Sequence, residues 1–199
     1  MITCDMAMSV DGFVAGPNQR ADAPFGDGVG DSLHQWMFEA AEENAAEIAA
    51  ITDAGAFIMG RNMFGPGRGE WDLDWTGWWG PEPPYHAPVF VLTHHGRASV
   101  EMEGGTTFHF VTGGIEEAVS RARAAAGGRD VAIAGGAATV NQALAAGLID
   151  ELRLHVAPVV LGQGERLFEG VGRIELTPAD VRRTALVTHL RYTLSRAAG

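Results

Sequence analysis

Residues 131–168 decide the fold of this chain and read VAIAGGAATVNQALAAGLIDELRLHVAPVVLGQGERLF. The stretch opens with the apolar run 131–134, which has no polar face and is typical of a buried strand. The pair Gly135-Gly136 follows, and glycine permits a sharp turn because it has no Cβ. Residues 137–146 have a helix-forming composition, and residues 152–156 alternate between apolar and polar side chains. The pattern predicts a strand, a tight turn, a helix and a second strand.

The Gly135-Gly136 turn is a candidate phosphate site. A strand that turns directly into a helix presents free backbone N–H groups and the positive end of the helix dipole, and both favour an anion. The alternative is a tight turn without a ligand, because glycine pairs are common in such turns. The turn by itself leaves both interpretations open.

Composition excludes several classes of protein. The chain has 199 residues and a formal net charge of −11, and 46% of its residues are hydrophobic, which suits a full core. All of its basic residues are Arg, and none of them form a cluster that would neutralise a nucleic-acid backbone. The single Cys4 excludes an intrachain disulfide and a cysteine-rich zinc site. We therefore expect no nucleic-acid partner.

The N-terminal sequence predicts neither a signal peptide nor a membrane span. Met1 leads directly into residues 2–8 without a basic segment. No apolar run approaches the roughly 18 residues that a spanning helix needs. We expect a cytoplasmic protein that does not bind membranes.

Asp5 is the unusual residue of the predicted first strand, residues 2–8. Successive strand residues point to opposite faces, so Ile2, Cys4, Met6 and Met8 share one face and Asp5 lies on the other. A carboxylate in an apolar strand is costly to bury unless it is paired. Two interpretations remain open. Asp5 is paired with an Arg or exposed at an edge, or it lies on the floor of a pocket and faces a polar substrate.

The rest of the chain alternates between strands and helices. After a surface loop at 17–30, a helix that begins at Asp31 or Ser32 is predicted to run to about Thr52. The other predicted elements are strands at 54–59, 88–92 and 106–111, a helix at 114–126, and one or two long strands at 173–196. This order predicts an α/β fold with a mainly parallel central sheet, helices on both faces and an antiparallel C-terminal edge. We expect a single domain over residues 1–199.

Two groups of side chains have a structural and a functional interpretation. Residues 64–86, here named the Trp-rich loop, contain four Trp among glycines and prolines. These rings either pack against the core or sandwich a planar substrate. His94 and His95 are adjacent on a strand end and point to opposite faces, and the other histidines lack ligand spacing, so we expect no metal site.

Four stretches in the same order resemble the dihydrofolate reductase family. They are SVDGFVAG from Ser9, FIMGR ending at Arg61, PVFVLTHH from Pro88, and GG followed by GLIDELRLHVAPVVLGQGERLF. The chain is similar in particular to the branch that includes the reductase domain of the bifunctional riboflavin-biosynthesis enzyme. The resemblance implies a three-layer α/β/α dihydrofolate reductase-like fold and an NADPH-dependent reductase. The motif GxGxxG is absent, so a classical Rossmann dinucleotide site is not expected.

The resemblance also implies site residues. Asp5 and Asp31 are the candidate catalytic residues, and Arg61 is expected beside the 2′-phosphate of NADPH, which its forked donors suit. The implied substrate-binding residues are Asp5, Asp11, Trp36 and His155. The implied cofactor-binding residues are Met6, Ala7, Val14, Gly16, Gly60, Arg61, Asn62, Met63, Leu92, Thr93, His94, Gly135, Gly136, Ala137, Ala138 and Thr139.

The expected substrate is a planar nitrogen heterocycle of pterin or pyrimidine type. Asp31 matches the pterin-anchoring carboxylate of the family only loosely, and Phe13 stands where the riboflavin reductases have a basic residue. The competing hypotheses are a nucleotide-binding protein without turnover and, more weakly, a histidine metal hydrolase. Members of the family are often dimers through their late strands, so we expect a homodimer.

Overall fold

The structure, a computed structural model, describes residues 1–195. Nine strands form one sheet in the order β10-β11-β8-β1-β7-β3-β4-β6-β5. The strands of this sheet are β1 (Ile2–Ser9), β3 (Ala56–Gly60), β4 (Pro88–Leu92), β5 (Val100–Glu101), β6 (Thr107–Val111), β7 (Val131–Gly135), β8 (Glu151–Ala157), β10 (Leu176–Arg183) and β11 (Thr188–Leu194). The short strands β2 (Phe13–Ala15) and β9 (Glu165–Arg166) pair separately.

The sheet is parallel at its centre and antiparallel at its edges. The pairs β1–β7, β1–β8, β3–β7, β3–β4 and β4–β6 are parallel, whereas β8–β11, β10–β11 and β5–β6 are antiparallel. The predicted α/β fold, with its mainly parallel sheet and antiparallel C-terminal edge, is confirmed. The stretch predicted at 173–196 forms the two strands of a hairpin, and its last residue lies outside the described residues.

Apolar side chains on both faces of the sheet explain the three layers. One face carries Ile58 and Ile133 and packs against helices α4 (Gly114–Ala125) and α5 (Ala137–Ala145). The opposite face carries Phe57 and packs against the Trp-rich loop. Burying one such side chain contributes about 1.5–3 kcal/mol, so both layers hold the central strands in place.

The predicted helix at 31–52 is wrong in its extent. The segment contains two short helices, α1 (Gln35–Phe38) and α2 (Ala45–Thr52), joined by turns. The Asn44 side chain donates hydrogen bonds to the carbonyl oxygens of Trp36 (3.2 Å) and Ala40 (2.8 Å). Such side-chain bonds to the backbone compete with helix formation, and here they hold the turn between the two helices. A further short helix, α3 (Arg61–Phe64), follows β3 directly.

Candidate functional site

The predicted cofactor residues gather at one edge of the sheet. Strands β1, β3, β4 and β7 run parallel, so their carboxyl ends meet at the same edge. In open α/β sheets, ligands bind in the crevice outside this edge. The connections that leave β3 and β7 pass directly into α3 and α5, without an intervening loop.

The ends of β3 and β7 approach each other closely. A Cβ added to Gly60 would lie 2.6 Å from Thr139 Oγ1 and 3.6 Å from the Gly136 nitrogen. Glycine at position 60 is therefore what allows β3 to end against the first turn of α5. Of the predicted cofactor residues, the structure thus brings Gly60, Gly136 and Thr139 together.

Gly135 lies between two methionines from other elements. Its φ of +118° is a backbone conformation that favours glycine, and the peptide bond to Gly136 is cis. A Cβ at Gly135 would lie 3.6 Å from the sulfur atoms of both Met6 and Met63. Strand β1, the end of β7 and helix α3 therefore converge on this turn. Met6 and Met63 lie beside the same glycine.

The start of α5 offers backbone donors beside open space. Gly136 accepts hydrogen bonds from the N–H groups of Thr139 and Val140, both at 3.1 Å. The N–H groups of Ala137 and Ala138 have no acceptor within the helix, because the first donors of a helix never do. A Cβ added to Gly136 would meet no protein atom within 4 Å. The turn therefore has room for a ligand against these N–H groups and the positive end of α5.

Arg61 is held beneath the Trp-rich loop. Its guanidinium lies 3.7 Å from the centre of the Trp71 ring and donates to the carbonyl oxygens of Gly67 (3.2 Å) and Glu70 (3.3 Å). The Nη1 atom is buried without a hydrogen-bond partner among the described residues. Burial and cation–π stacking explain this position, and the unpaired donor is the one through which Arg61 could bind an anion.

Other predicted cofactor residues have local partners. Thr93 closes a turn, since its hydroxyl donates to the His95 carbonyl oxygen and accepts from the His95 N–H, both at 3.1 Å. Leu92 and His94 flank it at the end of β4, and His94 is exposed. Asn62 Nδ2 lies 3.5 Å from Gln19 Oε1. These residues lie at the predicted edge, and the side chains of Thr93 and Asn62 have partners within the protein there.

Val14 and Gly16 have structural explanations. Val14 lies in β2 and packs against the core. A Cβ on Gly16 would collide with the Asp27 carbonyl oxygen, so glycine is needed there for the approach of residues 25–29. Neither contact requires a cofactor.

Asp11 connects the turn after β1 to the loop after β8. Its carboxylate accepts hydrogen bonds from Ser9 Oγ (2.6 Å) and from the N–H groups of Leu161 (3.0 Å) and Gly162 (2.7 Å). The Ser9 bond is the largest cause that lowers the pKa of Asp11 to about 2, and the two backbone donors add to it. The predicted substrate-binding residue Asp11 thus acts as a clamp between two loops.

Asp5 is paired with an Arg, as the first of the two interpretations from the sequence predicted. Its Oδ2 lies 3.4 Å from Arg153 Nη1, which is the predicted Arg pairing. Its Oδ1 lies 3.4 Å from His155 Nε2, and the centres of the His155 and Trp36 rings are 4.8 Å apart, with the rings tilted by 40°. The structure therefore brings together Asp5, His155 and Trp36, three of the predicted substrate-binding residues. Asp31, in contrast, is exposed in a turn before α1, so it does not begin a helix as predicted.

The Trp-rich loop packs against the core. Trp71, Trp75 and Trp79 contact the apolar cluster around Phe64, and the Trp75 indole donates to the Phe64 carbonyl oxygen (2.9 Å). Arg97 supports the loop from the other side by donating to the carbonyl oxygens of Asp72 (3.3 Å), Leu73 (3.0 Å) and Trp75 (3.0 Å). The packing interpretation of these Trp residues is confirmed.

Three residues of the polar cluster around Asp5 were missed as site residues. They are Asn44, Arg153 and His189, and they reach the cluster from α2's N-cap, β8 and β11. His189 and Arg191 are two residues apart, so a strand at this place puts them on one face. This spacing could not show that this face lies beside Asp5, because that depends on the pairing of β11 with β8 and of β8 with β1.

Within residues 1–195, no group of three or more His, Cys, Asp or Glu is arranged to hold a metal ion. Over the same range, none of the helices is long and apolar enough to cross a membrane.

Known proteins resemble the chain in sequence and in fold. YyaP of Bacillus subtilis (strain 168), itself uncharacterized, is 28% identical over 192 residues, which is 91% of this chain and 87% of YyaP. A protein of Shewanella sp. PV-4 ascribed to riboflavin biosynthesis superposes with a TM-score of 0.67 at 21% identity, covering 98% of this chain and 99% of that one. A pyrimidine reductase-like protein of Corynebacterium diphtheriae gives a TM-score of 0.56 at 15% identity, over 98% of this chain and 92% of that one.

One further structure contains a deaminase as well. The diaminohydroxyphosphoribosylaminopyrimidine deaminase/5-amino-6-(5-phosphoribosylamino)uracil reductase of Thermotoga maritima gives a TM-score of 0.57 at 13% identity. The match covers 98% of this chain and 56% of that protein, so this chain spans about half of its length. At these identities the structural likeness establishes the fold. Residues 1–190 match the RibD C-terminal domain family, and the chain therefore belongs to that family, which has a dihydrofolate reductase-like fold.

Proposed function

We propose that this protein is an NADPH-dependent reductase that transfers hydride to a planar nitrogen heterocycle of pterin or pyrimidine type. The observation that carries the proposal is the convergence of β3–α3 and β7–α5 at the carboxyl edge of the sheet, with free N–H groups and open space at Gly136. Membership of the RibD C-terminal domain family supports a reductase, and so does the likeness to the pyrimidine reductase-like protein and to the deaminase/reductase.

The residues at this edge fit a dinucleotide. The N–H groups of Ala137 and Ala138 suit a pyrophosphate, and the unpaired Nη1 of Arg61 suits a further phosphate, because a buried donor without an acceptor is costly. The backbone of Met6 and Ala7, in the second half of β1, would hold the nicotinamide. When bound, the reduced nicotinamide would supply the hydride. The pair formed by Asp5 and His155 is the proposed source of the accompanying proton.

A pyrimidine that carries a phosphoribosyl group is the second candidate substrate. Phe13 lacks the charge that the riboflavin reductases have at this place. However, the Arg166 guanidinium lies 4.4 Å from the centre of the Phe13 ring and donates to the Asp11 carbonyl oxygen (3.3 Å). Arg166, from β9, therefore places a cation over Phe13, the position at which the riboflavin reductases have a basic residue. This cation favours an anionic substituent on the substrate.

The first test is cofactor binding by titration calorimetry. Arg61→Ala should weaken NADPH binding by about ten- to a hundredfold and leave NADH binding nearly unchanged, because a charge-assisted pair contributes about 1.5–3 kcal/mol. Arg121→Ala is the matched control, since Arg121 is exposed on α4 and pairs with Glu117. Equal losses for NADPH and NADH would refute the assignment of Arg61.

The second test concerns the glycine turn. Gly136→Val fills the space outside the turn, so it should abolish NADPH binding while the protein stays folded by circular dichroism. A folded variant with wild-type affinity would mean that no cofactor lies there.

The third test concerns turnover. NADPH oxidation should be screened against dihydrofolate, pyrimidines with and without a phosphoribosyl group, flavins and quinones. Tight NADPH binding without oxidation by any of them would favour a nucleotide-binding protein that does not turn over. Oxidation by a phosphoribosyl pyrimidine that is lost in Arg166→Ala would favour the second candidate substrate.

A further inference from the structure

A chain of buried polar groups crosses β1, β8 and β11. His155 Nδ1 lies 2.8 Å from His189 Nδ1, and His189 Nε2 lies 2.9 Å from Asn44 Oδ1. At the other end, His155 Nε2 lies 3.4 Å from Asp5 Oδ1, and the two side chains are 3% and 7% exposed. Hydrogen bonds join Asn44, His189 and His155, so the hydrogen position on each ring constrains the next, and the Asp5 carboxylate lies at the end of this network.

Asn44 determines one end of this chain. Its Nδ2 donates to the carbonyl oxygens of Trp36 and Ala40. Its Oδ1 faces Arg182 Nη2 at 3.3 Å as well as His189 Nε2. A flipped amide would place its oxygen against two carbonyl oxygens and its N–H group against a guanidinium, which cannot accept. The amide orientation is therefore determined by its neighbours, and His189 Nε2 must carry a hydrogen.

Assigning the hydrogen atoms along this network of side chains leaves one extra proton. If His189 is neutral with its hydrogen on Nε2, its Nδ1 is an acceptor and His155 Nδ1 must donate to it. A neutral His155 would then turn a bare Nε2 towards the Asp5 carboxylate, and two acceptors would face each other. Within this network of side chains, Asp5 Oδ1 and His155 Nε2 are buried and have no hydrogen-bond partner among the described residues. A proton on His155 Nε2 would replace this contact between two acceptors by an ion pair at 3.4 Å.

The surroundings favour His155 as the group that carries this proton. Arg153 Nη1 is 3.4 Å from Asp5 Oδ2, so a cation already lies beside this carboxylate. The Trp36 ring at 4.8 Å from the His155 ring suits a cation, since aromatic faces attract positive charge. Burial first, and then the neighbouring His155, lower the pKa of His189 to about 4, so His189 stays neutral.

Charged and titratable groups surround this chain on every side. They are Arg153 and Glu151 on β8, Arg191 on β11, Arg182 on β10, Glu43 and Glu47 at α2, and His34 with Asp31 before α1. Arg182 and Glu47 pair with each other at 2.6 Å, as do Arg153 and Glu151. Each pair joins one cation to one anion, so the two pairs add little net charge around the three inner groups.

We propose that Asp5, His155 and His189 together hold one proton more than a free carboxylate and two free imidazoles at neutral pH, and that His155 carries it as an imidazolium. The set is then electrically neutral. In the reductase proposed above, it would be a proton store for a ring nitrogen whose neighbouring carbon accepts hydride. That use rests on the proposed function, whereas the protonation state does not.

The test is ¹⁵N NMR of histidine-labelled protein at pH 7.5. A free imidazole is mostly neutral at this pH, because its ordinary pKa is about 6.5. We expect both ring nitrogens of His155 to be protonated and His189 to be protonated only at Nε2. His→Gln variants assign the signals. His109→Gln is the control, because His109 bonds to Ser99 at 2.9 Å on the far side of the sheet and should leave both rings unchanged.

Two variants should remove the extra proton by different routes. In Asp5→Asn the amide oxygen should keep Arg153 and the amide N–H should donate to His155 Nε2, so His155 loses its Nε2 hydrogen and becomes neutral. In Asn44→Ala the constraint on His189 is removed. Its hydrogen can move to Nδ1, the His155 hydrogen can move to Nε2, and the extra proton is released.

The outcomes separate the proposal from the proposed function. A neutral His155 ring in the wild-type protein at pH 7.5 would overturn the proposal, and so would an Asp5→Asn variant in which His155 stays doubly protonated. If Asn44→Ala does not fold, Asp5→Asn still decides. Loss of the reductase hypothesis through failed NADPH binding would leave these spectra unaffected.

Discussion

Gly60→Ala tests whether the contact between β3 and α5 requires glycine. The new Cβ would lie 2.6 Å from Thr139 Oγ1, about 0.8 Å less than an ordinary 3.4 Å contact. Thr139 is buried and β-branched, so it has few alternative rotamers in the helix. Overpacking of this kind costs about 1–3 kcal/mol. At about 2–4 °C per kcal/mol for a chain of this size, the melting temperature should fall by roughly 2–12 °C.

A double-mutant cycle isolates this contact. Thermal unfolding should be measured for Gly60→Ala, Thr139→Ala and the double variant, because removing Oγ1 relieves the overlap. The cost of Gly60→Ala should then be smaller in the Thr139→Ala background by about 0.5–3 kcal/mol. Gly96→Ala is the control, since its Cβ would be 3.7 Å from the nearest atom and should change stability by no more than about 0.5 kcal/mol. Additive costs for the two substitutions would refute the reasoning.

Three further predictions concern stability. The pKa of Asp11 is lower in the folded protein than its unfolded value of about 3.9, so the ionised carboxylate stabilises the fold above that pH, and this contribution is lost as the pH falls to about 2. Asp11→Asn should therefore remove this part of the acid dependence of stability. An unchanged acid-unfolding curve would contradict the prediction. Arg97→Lys keeps the charge but not the fork that binds three carbonyl oxygens of the Trp-rich loop, so urea unfolding followed by Trp fluorescence should show a loss of about 1–2 kcal/mol, and wild-type stability would count against it. Burial lowers the pKa of His34 to about 4. Between pH 6.5 and 4 the unfolded chain therefore binds more protons than the folded protein, and stability should fall as the pH is lowered through this window. His34→Gln should make this fall shallower, and an equal slope would exclude His34 as a cause.

The strands and glycine turns could be predicted because they depend on local sequence. The apolar run before Gly135 and the alternation after Ile149 each require only neighbouring residues. The order of elements then determines a mainly parallel sheet, because parallel strands need crossover helices. Strand β7, helix α5 and strand β8 accordingly lie within a residue or two of the predicted bounds.

The segment before β3 could not be predicted in the same way. Residues 31–52 have enough Ala, Glu and Leu to favour one continuous helix. Asn44 interrupts it, and the reason is tertiary as well as local. Its amide is held by the Trp36 and Ala40 carbonyl oxygens on one side and by His189 and Arg182 on the other. No pattern within the segment indicates that two later strands supply those partners.

The two halves of the candidate site differ in how far sequence reasoning reaches. The cofactor side depends on backbone geometry, and glycine at positions 60, 135 and 136 marks that geometry directly. The polar side depends on cross-strand register, which places Ala7 opposite His155 and His155 opposite His189. A shift of one residue in either pairing would turn every one of these side chains to the other face. The sequence alone therefore left both interpretations of Asp5 open, because it does not show which Arg and which His the strand pairing places beside this carboxylate.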